Sequence, residues 1–299
     1  MPGIGDLLKP VDLKRLKHLQ VRARQMVEGF CSGLHRSPHK GFSVEFKQHR
    51  QYVPGDEIRR LDWKVFGKTD RFFIREYEEE TNLRCTLVLD KSGSMAYRGA
   101  RASSSKFDYA VHMAAALASL LLEQQDAVGL VTFDDEVREH VPPRARPAHL
   151  NALVDYLQRT QPGNDTDMAE VFRKLVPKIH RRGLVLILSD CFGNELDLIR
   201  SLSHLRSRHH EVVVFQVWDR DELEFPFFER LRFDSLEDPA NQRLVDAAHL
   251  RESYLEVLRD FRAQLEQGCA RNRVDLVPLV TDKPWAEALA EYLAKRRGG

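Results

Sequence analysis

The chain has 299 residues, of which 42% are hydrophobic and 30% are charged, and its formal net charge is +1. This composition favours a folded protein of one large domain with an appendage, or of two domains, and excludes a disordered chain. The near-zero net charge gives no general indication of nucleic-acid binding, and the longest apolar run, 114–122, is about half as long as a membrane span. Because the N-terminus also lacks the apolar region of a signal peptide, we expect a cytoplasmic protein without membrane association.

The first 83 residues predict a helix followed by a small β-containing module. Apolar residues recur at helical spacing among basic residues over 11–30, which indicates an amphipathic helix. Strand-like segments follow at 42–46 and 70–80, with turn residues at 54–56 and 67–70. We therefore assign 1–83 to an N-terminal helix and a small β module.

From residue 84 onward, strand-like and helix-like segments alternate. Strands are predicted at 84–90, 127–133, 136–142, 183–190, 211–219 and 274–281. Helices are predicted at 106–125, 149–159, 167–181, 195–208, 247–271 and 284–295, with Pro177 ending or kinking the third, and a hairpin insertion near 227–245 turns at 237–239. Continuous apolar strands interleaved with helices are typical of a mostly parallel sheet covered on both faces. The predicted fold class of 84–299 is thus α/β with a doubly wound, mostly parallel sheet.

Three predicted loops carry oxygen donors where strands end or helices begin. Asp90, Ser92 and Ser94 follow the first strand, Thr166 precedes a helix, and Asp190 ends the strand at 183–190. In an open doubly wound sheet, ligands bind beyond the carboxyl ends of the strands. Carboxylates and hydroxyls suit a hard cation such as Mg²⁺ (or Mn²⁺), which keeps several waters and takes few protein ligands. We predict a metal site with one open position, which an acidic side chain of a protein partner would fill.

These five residues resemble the metal-ion-dependent adhesion site of von Willebrand factor A-type domains. The resemblance implies a von Willebrand factor A-like fold over 84–299. It also implies that Ser92, Ser94 and Thr166 supply hydroxyl ligands, while Asp90 and Asp190 bind the metal directly or through water.

Two positions depart from that pattern. Cys191 follows Asp190 where many A-type domains have glycine, which makes the geometry of this loop less predictable. Lys91 places an ammonium inside the motif. We expect the Lys91 side chain to point to solvent, with weaker metal affinity or pairing to an acidic partner as the alternatives.

The N-terminal module carries a second resemblance. The pattern Arg50-x-Tyr52-x-x-Gly55-Asp56, followed by Arg60-x-Asp62-Trp63, is similar to the bacterial family called domain of unknown function 58. Members carry a von Willebrand factor A-like domain and are commonly encoded beside MoxR-type AAA+ ATPases. The resemblance therefore implies a partner or adaptor of such an ATPase, acting in assembly or maturation of another complex. Many relatives have transmembrane segments, which this chain lacks, so membrane association is not transferred.

Three functional interpretations remain open. The first is a non-enzymatic, metal-dependent protein-binding module that contacts a MoxR-type ATPase or its client. The second is a metal-dependent phosphoester hydrolase using the same acidic loops, although the sequence offers no general base, second carboxylate cluster or glycine-rich phosphate loop. The third is a structural scaffold. Catalysis by Ser92 is disfavoured because the G-x-S-x-G pattern of a nucleophilic serine is absent.

Overall fold

The computed structural model describes residues 44–53, 61–79, 83–163, 168–179, 181–236 and 242–295. The predicted helix at 11–30, the predicted turns at 54–56 and 237–239, and Thr166 lie outside these residues. The described residues belong to two compact units, one within 31–82 and the other from Leu83 onward.

The smaller unit is a two-stranded sheet with one short helix. Its elements are β1 (Val44–Gln51), α1 (Trp63–Thr69) and β2 (Phe73–Glu79), with β1 antiparallel to β2. The Asp62 side chain caps α1 by accepting the backbone N–H of Lys64 at 3.0 Å. The prediction of a turn over 67–70 is therefore wrong for 67–69, because the Asp62 cap starts a helix through this stretch. The turn residues only end it, at Asp70, whose φ is 54°.

The larger unit is built on a six-stranded sheet. Its strands are β3 (Arg84–Asp90), β4 (Ala127–Phe133), β5 (Val137–Arg144), β6 (Leu184–Ser189), β7 (Glu211–Trp218) and β10 (Asp275–Val280), while β8 (Arg230–Asp234) and β9 (Gln242–Asp246) form the predicted antiparallel hairpin. The order is β10-β7-β6-β3-β4-β5, with β5 antiparallel to β4 and the other neighbours parallel. Counted along the chain from the β5 edge, this is the doubly wound order 3-2-1-4-5-6. The predicted α/β fold class is confirmed.

Helices cover both faces of this sheet. They are α2 (Lys106–Glu123), α3 (His149–Arg159), α4 (Met168–Leu175), α5 (Glu195–Ser207), α6 (Arg220–Glu224), α7 (Ala247–Arg271) and α8 (Trp285–Lys295). One face packs its apolar side chains against α4, α5 and α7, and α2 with α3 and α8 covers the other. Because both faces are covered, the central strands are buried along their length, as their apolar sequence predicts. None of the described helices is both long and apolar enough to cross a membrane.

Two helices, α4 and α6, differ from the sequence prediction. The helix α4 stops at Leu175, and a 3-10 turn at Val176–Lys178 follows, because Pro177 has no N–H to continue the helical ladder. The helix α6 was not predicted, since its five residues are too few for an apolar period to register.

The central strand β3 lies where the strand order reverses. The chain passes from β3 to β4 on one side of the sheet and from β6 to β7 on the other. The loops that follow β3 and β6 therefore diverge and leave a crevice at the carboxyl ends of these two strands. The crevice is the place where the sequence predicts the oxygen donors to meet.

Candidate functional site

The loop after β3 is shaped by hydrogen bonds of the predicted site residues. The buried Asp90 carboxylate accepts the Ser92 backbone N–H at 2.9 Å through Oδ1. A 3-10 turn follows over Gly93–Ala96, and the fully buried Met95 anchors it. This local turn directs the Ser92 and Ser94 hydroxyls to the same place, with their Oγ atoms 3.1 Å apart.

Asp190 reaches this turn from the neighbouring strand. It directly follows β6, and its Oδ2 atom accepts the Ser94 hydroxyl at 2.8 Å across 96 residues of sequence. The structure therefore brings together Asp90, Ser92, Ser94 and Asp190. Thr166, the fifth predicted ligand, is outside the described residues.

The Asp90 carboxylate is held in a polar but solvent-free setting. The Ser189 hydroxyl donates to Asp90 Oδ2 at 2.6 Å, and Asp90 is 1% exposed. Burial and the nearby charge of Asp190 raise the Asp90 pKa to about 7, against the lowering effect of the hydrogen bonds from Ser189 and Ser92. Two carboxylates thus approach each other where little water can screen them, and positive charge at this place would be stabilised.

One such positive charge comes from Lys106, which sequence reasoning missed. Its Nζ atom lies 2.8 Å from Asp190 Oδ2 and 2.5 Å from Glu222 Oε1, and 4.8 Å from the centre of the Phe192 ring. Burial alone would lower the pKa of this fully buried ammonium, but the charges of Asp190 and Glu222 raise it overall. Lys106 therefore stays protonated and neutralises part of the carboxylate charge of the site.

The sequence did contain a signal for Lys106. Ser105 is the N-cap of α2, so Lys106 is the first residue of that helix. The positive end of the helix dipole disfavours a cation at this position. A lysine at the start of a nearly continuous apolar helix is therefore unexpected, but the sequence does not identify its partners.

A separate hydrogen bond fixes the orientation of the Glu222 side chain that contacts Lys106. Glu222 belongs to a capping box at the start of α6, where its Oε2 atom accepts the Asp219 backbone N–H at 2.8 Å. The Asp219 carboxylate accepts the Gly99 N–H at 2.9 Å, and the Asp221 carboxylate accepts the Ala100 N–H at 3.0 Å. These bonds tie the loop after β3 to the loop after β7, so three strand ends contribute to the site.

The structure also decides the two departures from the adhesion-site pattern. Lys91 does not point to solvent: its side chain is 17% exposed, and Nζ lies 3.2 Å from Asp134 Oδ2 on the loop after β4. Cys191 has a φ of 63°, in the left-handed region that favours glycine. Its N–H donates to the Ser189 hydroxyl at 2.8 Å, so the loop keeps Ser189 in position although a side chain replaces the hydrogen of glycine.

The donor set fits a hard divalent cation. Mg²⁺ binds oxygen ligands, uses few side chains and retains waters. Across the described part of the chain, no group of three or more His, Cys, Asp or Glu side chains is placed to hold a metal ion. The oxygen donors that the structure describes in this crevice are the hydroxyls of Ser92 and Ser94 and the carboxylates of Asp90 and Asp190.

The strand order, the Asp-x-Ser-x-Ser turn after β3 and the carboxylate after β6 are those of a von Willebrand factor A-like α/β domain. The model of the family described as "Protein of unknown function DUF58" matches residues 48–264, and the chain belongs to that family. The family predicted from the N-terminal pattern is thereby confirmed.

Relatives match the chain over nearly its full length. It is 26% identical over 298 residues to "Uncharacterized protein Rv1480" of Mycobacterium tuberculosis (strain ATCC 25618 / H37Rv), covering 99% of this chain and 93% of that protein. The same figures hold for "Uncharacterized protein Mb1516" of Mycobacterium bovis.

Solved structures show more distant similarity. BatB from Bacteroides thetaiotaomicron is 13% identical, with 73% of this chain and 100% of that chain covered and a TM-score of 0.46. The SpRpn10 VWA domain is 12% identical, with 71% and 95% covered and a TM-score of 0.42. At these values, the fold assignment rests on the strand order of the chain itself.

Proposed function

We propose that the chain is a non-enzymatic protein-binding module that uses Mg²⁺ or Mn²⁺ to capture an acidic side chain of its partner. Asp90, Ser92, Ser94, Thr166 and Asp190 would hold the ion. One observation carries the proposal. Ser92 and Ser94 lie in the loop after β3 and Asp190 follows β6, yet their hydroxyl and carboxylate oxygens lie within hydrogen-bond distance of each other.

The bound ion would supply a Lewis-acidic position for a carboxylate of the partner. The residues of the chain do the rest. The turn after β3 fixes the Ser92 and Ser94 hydroxyls, and Ser189 fixes the Asp90 carboxylate. Lys106 holds Asp190 and reduces the negative charge that an acidic partner would meet.

The partner we propose is a MoxR-type AAA+ ATPase or a client of that ATPase. Support comes from membership in the DUF58 family and from the association of that family with such ATPases, which the N-terminal pattern implies. The module would then act as an adaptor in assembly or maturation of another protein complex.

Metal binding is tested by titrating Mn²⁺ into the full chain and recording the free ion by electron paramagnetic resonance. Ser94→Ala and Asp190→Asn should each weaken binding by about tenfold or more, since each removes a proposed ligand. Ser103→Ala, an exposed serine in the segment between the turn and α2, is the matched control and should bind like the wild type. Equal binding by all four proteins would rule out the site.

Partner binding is tested by calorimetric titration with the MoxR-type ATPase of the same genome, in Mg²⁺ and in EDTA. We expect binding in Mg²⁺ that is lost in EDTA and in Asp190→Asn. Equal affinity under both conditions would exclude the metal-bridged mode. Turnover of a phosphoester that disappears in Asp190→Asn would instead support a hydrolase.

A further inference from the structure

A second candidate site lies at the opposite, amino-terminal end of the sheet. A surface cavity of about 240 Å³ opens on the side covered by α4, where β3 and β6 begin. Its polar lining residues are Arg84, Thr86, His140, Lys178, Arg181 and His210. Among the described residues, the lining thus includes three cationic side chains and two imidazoles and no aspartate or glutamate.

Within the part of the chain that the structure describes, no carboxylate neutralises the arginines and the lysine of this cavity. In the described part of the chain, Arg84, Lys178 and Arg181 form no salt bridge. By contrast, Arg206 is paired with Glu211 close to the start of β7. Burial lowers the pKa of Arg84, and the charge of Arg181 lowers it further, so the two guanidinium groups repel each other. An anion between them would remove this repulsion.

His210 closes the inner side of the cavity. It is 1% exposed, and burial lowers the pKa of its imidazole, although hydrogen bonds to the Gly183 and Ile179 backbones oppose this. The positive charge that a ligand would meet therefore comes from Arg84, Lys178 and Arg181.

The remaining walls limit the rest of the ligand. They consist of apolar groups from β5, from the segment after α4 and from the start of β6, namely Pro142, Pro143, Ile179, Gly183 and Leu184. The cavity is smaller than the roughly 300–1,000 Å³ of typical drug-sized sites. A small ligand that combines an anionic head with a short apolar part fits these walls.

We propose that this cavity binds a small phosphate monoester, with the phosphate held by Arg84 and Arg181 and the organic group against the proline pair. Guanidinium groups bind phosphate with paired, charge-assisted hydrogen bonds, which explains two arginines at one cavity. The site is separate from the metal site, because it lies at the other end of the same strands.

The test is calorimetric titration of the full chain with phenyl phosphate, glycerol phosphate and inorganic phosphate at fixed ionic strength. EDTA is present throughout, so that divalent ions at the other end of the sheet do not contribute. We expect phenyl phosphate to bind, and Arg181→Gln to weaken its binding by about tenfold or more, the usual loss for a hydrogen bond to a charged group. The exposed Arg181 is replaced because this change leaves the core intact, and Arg84→Gln is the second variant.

Arg200→Gln, on the exposed surface of α5 and outside the cavity lining, is the matched control and should bind like the wild type. The proposal is overturned if none of the three compounds binds, or if Arg200→Gln weakens binding as much as Arg181→Gln. Equal affinity for inorganic phosphate and phenyl phosphate would overturn the part of the proposal that assigns an organic group. Since Mn²⁺ binding is measured separately, these results do not depend on the metal site.

Discussion

Lys106 is the residue of the described site whose burial is most costly in electrostatic free energy. An ammonium without exposure to water costs several kcal/mol unless opposite charges and hydrogen bonds replace its hydration. Asp190 and Glu222 supply both, at 2.8 and 2.5 Å. The three groups therefore depend on each other: removing Lys106 leaves two buried carboxylates without their counter-charge, and removing either carboxylate leaves Lys106 with only one.

Replacing Lys106 should therefore destabilise the fold more than a simple loss of packing would. Lys106→Met keeps the apolar stem but leaves two buried carboxylates unpaired, so we expect a loss of about 3–5 kcal/mol. Lys106→Met combined with Glu222→Gln removes one of these carboxylates and should recover part of the loss. Urea unfolding followed by circular dichroism gives both values.

The interpretation would be contradicted if Lys106→Met were as stable as the wild type. It would also be contradicted if Glu222→Gln lowered the free energy of unfolding as much in Lys106→Met as it does in the wild type. Mg²⁺ offers a second readout. Once the ammonium is gone, Asp190 lacks its cation, and we expect Mg²⁺ to raise the stability of the double variant more than that of the wild type.

At the scale of elements, hydrophobic patterning predicted the larger unit closely because the central strands of its sheet are buried on both faces. Segments such as 183–190 have no polar residue before Ser189, which excludes a half-exposed strand. The small unit was less predictable. There, Gly67 and Asp70 have the chemistry of a turn, while Asp62 starts a helix five residues earlier, and local patterns do not show which of the two effects prevails.

The site was predictable in part for a similar reason. Asp90, Ser92 and Asp190 are adjacent to strand ends, and the parallel sheet fixes where strand ends meet. Lys106 and Glu222 belong to helices, and their contact depends on helix placement and on the path of the loop at 219. No sequence period encodes that placement, so the Lys106–Glu222 pair could be found only in three dimensions.

The start of β6 provides a test of how closely the elements are packed. A Cβ atom at Gly183 would lie 2.2 Å from the Arg84 carbonyl oxygen of the neighbouring strand, a backbone atom that side-chain rotation cannot move. We expect Gly183→Ala to destabilise the protein by about 2 kcal/mol or more, because β3 and β6 must separate. Thermal unfolding measures the effect as a fall in Tm of about 4 °C or more.

Gly163→Ala is the matched control for this substitution. A Cβ atom at Gly163 would meet nothing within 4 Å, and its N–H bond to the Lys91 carbonyl would remain. Its Tm should be unchanged or slightly higher, since alanine restricts the unfolded chain. Similar Tm values for both variants would contradict the close approach of β3 and β6.

For the whole molecule, pH should affect stability through individual buried groups rather than through net charge. The formal charge is only +1, so repulsion between like charges is weak near neutral pH. Asp126, at the turn before β4, is buried, and its Oδ1 accepts the Leu83 N–H at 2.9 Å. Its Oδ2 has no hydrogen-bond partner among the described residues. Burial raises the Asp126 pKa to about 7, although the Leu83 bond opposes this.

A raised pKa means that the folded state holds the Asp126 proton more tightly than the unfolded chain does, where an aspartate titrates near pH 4. Its contribution to stability is therefore complete below about pH 4 and is lost as pH rises to about 7. Asp126→Asn keeps an acceptor for Leu83 but cannot ionise. From pH 4 to pH 8, the wild type should lose on the order of 2–4 kcal/mol relative to this variant. Urea unfolding at both pH values in EDTA measures this difference. If the free energies of unfolding of the two proteins changed equally with pH, ionisation of Asp126 would not be destabilising the folded state.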